Sequence, residues 1–78
     1  MQLAEAKTLF DAGVLVRAVV VRVPMSSGWH LELFRKGGNK TGDGIERQRG
    51  GFRVFTTIDA AVSAAESIGF RHVDIDLT

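Results

Sequence analysis

Three features of this 78-residue chain predict a small α+β fold: the β-branched run VLVRAVVVRV at residues 14–23, an alanine-rich helical pattern over 58–68, and an alternating stretch, HVDIDL, at 72–77. Together they give a sheet of three to four mainly antiparallel strands packed by two helices, in the order α-β-β-β-α-β. The length makes one domain, 1–78, and 45% apolar content is ordinary for a folded one.

Residues 3–12 predict the first helix. Ala, Leu, Glu and Lys supply the propensity, Leu3, Ala6, Leu9 and Phe10 share one face, and Gly13 is the stop. The run 14–23 then turns to strand. Regular alternation would set Leu15, Arg17, Val19, Val21 and Val23 on one face, with Val14, Val16, Ala18, Val20 and Arg22 on the other. Pro24 cannot donate to a ladder, so PMSSG reads as a turn. The hairpin partner is WHLELFRK, 29–36, with Trp29, Leu31, Leu33 and Arg35 opposite His30, Glu32, Phe34 and Lys36.

FRVF, 52–55, is expected as the third strand, with 45–49 as a backward extension. Thr56 followed by Asp59 has the form of a capping box for the second helix. Its apolar face is Ile58, Ala61, Val62, Ala65 and Ile68, and Gly69 ends it. The last strand, 71–77, is expected to turn Val73, Ile75 and Leu77 inward and His72, Asp74 and Asp76 outward. A right-handed crossover through the second helix would bring it parallel to 52–55 or to a neighbour one strand away.

The segment that carries functional interest is GGNKTGDGIERQRGG, 37–51, a polar insertion in a chain with little core to spare. Residues 35–53 hold Arg35, Lys36, Lys40, Arg47, Arg49 and Arg53 against Asp43 and Glu46, a local balance of +4 in a chain whose total is +1. Charge this concentrated points to an anionic surface, nucleic acid first, with those six cations as contacts. A solvated loop accounts for the same residues. Residues 37–44 contain no apolar anchor, so the segment, at about 37–50, is expected to be flexible and to become ordered on binding.

Other chemistries find little support. The absence of cysteine excludes disulfides and thiolate metal sites, and makes an intracellular setting the default. The longest apolar run is interrupted by Arg17 and Arg22, too short and too charged for a bilayer span. Residues 1–12 lack the apolar region of a signal peptide, so a cytoplasmic protein with no membrane partner is expected. His30 and His72 lie far apart on different expected strands. His72, Asp74 and Asp76 form a stripe better explained as solvated than as metal-binding. GGNKTGDG has its Lys-Thr pair at the wrong spacing for a phosphate loop, and Ser26, Ser27 and Ser63 lack base and acid companions. A non-enzymatic protein without cofactor is expected. A homodimer is expected to supplement the small core, and Trp29 reads as core or interface.

The stretch GGFRVFTTIDAAVSAAESIGFRHVDIDL, 50–77, resembles the ending of small plasmid-encoded partition or stability accessory proteins, the ParC-like group. FRVF, the Thr-Ile-Asp-Ala-Ala helix start and Ile-Gly-Phe-Arg carry the likeness. It implies a plasmid-borne, non-enzymatic helper acting near DNA or near a partition or replication protein. The sequence reading is therefore a small DNA-associated accessory protein that contacts phosphates through a basic loop. The alternative is a protein-interaction module that binds no nucleic acid and acts through an apolar sheet face or the same loop.

Overall fold

The structure, a computed structural model, describes residues 1–37, 43–44 and 53–77. Its elements are α1 (Leu3–Asp11), β1 (Leu15–Arg22), β2 (Trp29–Arg35), β3 (Asp43–Gly44), α2 (Ile58–Ile68) and β4 (Asp74–Asp76), in the α-β-β-β-α-β order that the sequence predicts. The four strands form one sheet, ordered β3-β2-β1-β4. The β1–β2 and β2–β3 pairs are antiparallel, and β4 runs parallel to β1.

Both helices pack on the face of β1 and β2 that carries Leu15, Ala18, Val20, Leu31 and Leu33, and all five are buried. Ala6 of α1 and Ala61, Ala64, Ala65 and Ile68 of α2 complete this core with Phe55 and Phe70. Alanine on the inner faces of both helices lets their axes come close to the sheet, so so small a core still closes around Leu31 and Leu33. Among the described residues, none that is polar or charged is buried, and no helix is long and apolar enough to cross a membrane.

Five expectations are corrected. The alternation of β1 is broken by a bulge: Leu15 pairs with Arg35 and Arg17 with Phe34, so Val16 is an extra residue, 56% exposed. The shift returns Leu15 to the face of Ala18 and Val20, away from Arg17 and Val19. The third strand is Asp43–Gly44, paired with Leu33 and Glu32, in place of 52–55. Of that tetrapeptide, Arg53 and Val54 are not in a strand, and Phe55 makes a single antiparallel bridge to Trp29; the suggested extension, 45–49, lies outside the described residues.

The cap of α2 is Thr57, whose hydroxyl accepts from the Ala60 N–H at 3.1 Å; Thr56 lies one residue too early. Finally, β4 is three residues long and exposed throughout; of the residues expected inward, Val73 is half-buried against the core, but Ile75 is 46% exposed and Leu77, just past the strand, 62% exposed. The reason is lateral reach. Val20 of β1 partners Ile75, so Ile75 lies on the helix side, but among the described residues neither helix packs against β4. The crossover also goes further than expected, carrying β4 past both β2 and β1 to the far edge of the sheet.

Candidate nucleic-acid interface

Of the six sequence-predicted cations, Arg35, Lys36 and Arg53 are described, whereas Lys40, Arg47 and Arg49 lie outside the described residues. The three do not gather at one point. Arg35 ends β2, and the Lys36 backbone N–H donates to the Val14 carbonyl at 2.8 Å, which fixes both at the β1-start end of the sheet. Arg53 belongs to the opposite end, beside Phe55 and its bridge partner Trp29, the first residue of β2. Six strand steps separate Trp29 from Arg35, or about 20 Å.

Between them, the described backbone pairs with the outer edge of β2 at two points. Asp43 and Gly44 pair with Leu33 and Glu32, and Phe55 then exchanges two 2.8 Å hydrogen bonds with Trp29. Gly44 and Phe55 are therefore held three strand steps apart, about 10 Å, so both flanks of 45–54 are anchored to one edge. Of the stretch expected to be flexible, 37–44, the backbone of Asp43 and Gly44 is part of the sheet, and 38–42 lie outside the described residues.

The hairpin end adds Arg22 and Trp29, which the sequence reading gives as a strand-face residue and as core or interface, to the expected contact Arg53. The Arg22 guanidinium carbon lies 5.1 Å from the centre of the Trp29 ring, and that of Arg53 lies 4.8 Å from the centre of Phe55. Arg22 and Trp29 are register partners across the hairpin, and Trp29 and Phe55 across the next bridge. Two cations thus flank two aromatic residues in one cross-strand row. Stacking on a ring face holds an exposed guanidinium in place while its N–H groups stay available at the rim. The signal was present in sequence: closing a hairpin over 23–28 puts Arg22 opposite Trp29. Gly28 permits the crowding here, because a Cβ on it would run into the Val54 side chain.

Arg17 behaves differently. Its Nε donates to Asp74 Oδ2 at 2.8 Å, and its guanidinium lies 5.5 Å from the centre of the Phe34 ring, so it is committed across the face turned from the helices. That pairing also engages one member of the His72, Asp74, Asp76 stripe, and among the described residues no three His, Cys, Asp or Glu side chains gather as a metal site. Among the described residues, the arrangement offers two ring-stacked cations at the hairpin end and Arg35 and Lys36 at the other end of β2, groups able to bind anions by charge and hydrogen bonding. No protein-family model, no curated protein and no solved structure matches this chain.

Proposed function

We propose that this chain is a small, non-enzymatic DNA-associated accessory protein that contacts the phosphate backbone through the basic edge of its sheet. The observation that carries the reading is the division of charge along the chain, together with the anchoring of the basic segment's flanks on β2. Residues 35–53 hold +4 in a chain of +1, which leaves −3 for the rest. The flanks of that basic segment are anchored along β2, while Asp74 and Asp76 stand exposed on β4 at the other edge. A polyanion would be drawn to the basic segment and away from the net-acidic remainder, and this asymmetry favours one orientation. The resemblance of 50–77 to plasmid partition accessory proteins supports the same class of partner and suggests plasmid partition or stability as the process.

Phosphate contacts release counterions, so the logarithm of the binding constant should fall linearly with the logarithm of salt concentration. Anisotropy titrations of a labelled duplex at several salt concentrations test this. The double variant Arg35→Ala, Lys36→Ala should reduce the slope by about 2 and weaken binding about equally for unrelated sequences. Absence of binding at low salt to double- and single-stranded probes would overturn the reading.

A second reading, a protein-interaction module that binds no nucleic acid, is favoured by the sheet face turned from the helices. There Val21 and Phe34 are half-buried, with no described element packed over them. Sedimentation showing self-association that a Phe34→Asp change abolishes, with no nucleic-acid binding, would select it.

A further inference from the structure

We infer that the turn between β1 and β2 is a minor-groove wedge: the exposed residues 24–27 enter the minor groove of duplex DNA, and Met25 inserts at a base step between phosphate contacts from Arg22 and Arg53. This rests on the DNA-associated reading and names the form of nucleic acid and the mode of contact.

Met25 is the most exposed large apolar residue described, at 106%, and its φ is 58°. That left-handed conformation favours glycine or asparagine, so a methionine there is explained neither by burial nor by backbone preference. Pro24 precedes it, and methionine and proline are among the side chains that wedge between base pairs. The turn is braced from within. The Val23 N–H donates to the Gly28 carbonyl at 3.0 Å, the Ser26 N–H to the Val23 carbonyl at 3.3 Å, and the Gly28 N–H to Ser26 Oγ at 3.2 Å. An apolar tip on a hydrogen-bonded frame keeps its shape when pressed into a stack.

The surroundings fit the same target. Arg22 on β1 and Phe55, the ring on which Arg53 stacks, are level with each other on either side of Trp29 at the foot of the turn, two strand spacings or about 10 Å apart. That is the scale of a minor groove about 6 Å wide together with its bordering backbones. Residues 23–28 project two strand steps past the last hairpin pair, about 7 Å, against a groove depth of about 7.5 Å. Two anionic rails with an apolar slot between them describe a stacked duplex. A narrow A·T-rich groove concentrates negative potential, and a TA step unstacks readily, so the wedge should favour such sites.

The test is energy transfer between dyes at the two ends of a duplex of about 25 base pairs with a central TA step in an A·T-rich context, read at saturating protein. The wild-type chain should bring the ends closer. Met25→Ala should abolish the approach and lower affinity about tenfold without changing the salt slope, whereas Arg22→Ala should reduce that slope by about 1. Met25→Gly, which suits the backbone, should also abolish the bend while raising the thermal midpoint, and so separates lost wedging from lost folding. Saturated but unbent DNA, a Met25→Ala complex bent like wild type, or preference for single strands overturns the wedge alone. Failure to bind any nucleic acid at low salt overturns the wedge and the proposed function together.

Discussion

Gly69 ends α2 at a φ of 132°, and a Cβ built on it would lie 2.5 Å from Phe10 Cε1. Conformation and space therefore exclude a side chain for separate reasons. The Phe10 ring meets Phe70 at 4.7 Å between centroids and 59° between planes, so one aromatic contact ties the C-terminal ends of both helices together at this glycine. Gly69→Ala should destabilise the domain by about 2–4 kcal/mol through backbone strain and overpacking. Urea unfolding would read this as a lower midpoint. Adding Phe10→Leu should return part of the loss by relieving the clash but not the strain, so the double-mutant cycle should be non-additive. Purely additive losses would show that the ring contact plays no part.

Among the elements, α2 is the most fully specified. Thr57 is its N-cap, with extended φ and ψ of −136° and 157°, and its hydroxyl satisfies one of the N–H groups that an opening turn leaves unpaired. Thr57→Ala should cost about 1 kcal/mol, while Thr56→Ala should stay within about 0.5 kcal/mol, a contrast that thermal melts of the two variants would resolve. Sequence periodicity set the helix, its glycine stop and the Ala61, Ala65 and Ile68 part of its buried face, missing Ala64, because a 3.6-residue pattern averages over eleven positions and tolerates a shift of one. The adjacent threonines gave no such average, and the cap is decided by which of them sits three residues before a free N–H. Strand β1 shows the same limit. Its β-branched composition made the strand legible, but a bulge at Val16 depends on pairing with Arg35 and Phe34, which no local pattern encodes. The alternation of 71–77 was real, yet it could not reveal that helices resting on β1 and β2 stop short of the edge.

For the molecule as a whole, the chain displayed its charge concentration openly and its placement not at all. The six cations are neighbours in sequence, but antiparallel return along β2 carries Arg53 away from Arg35 toward the hairpin end, where it stacks on Phe55, level with Arg22 some thirty residues earlier. The hairpin end became a candidate only through that return. The strand order has a further consequence, for the growing chain. The most β-prone segment, β1, is an interior strand only because β4, more than fifty residues later, covers Val19, Val20 and Val21. Until those last residues are available, a valine-rich backbone edge is left unpaired, of the kind that recruits other chains. Three exposed residues, two of them aspartates, thus act as a late seal whose acidic outer side discourages addition of another copy. A chain ending at residue 73 should keep the hairpin and both helices but form larger particles in dynamic light scattering at concentrations where the 78-residue chain does not. Particles of unchanged size would show that β1 needs no such cover.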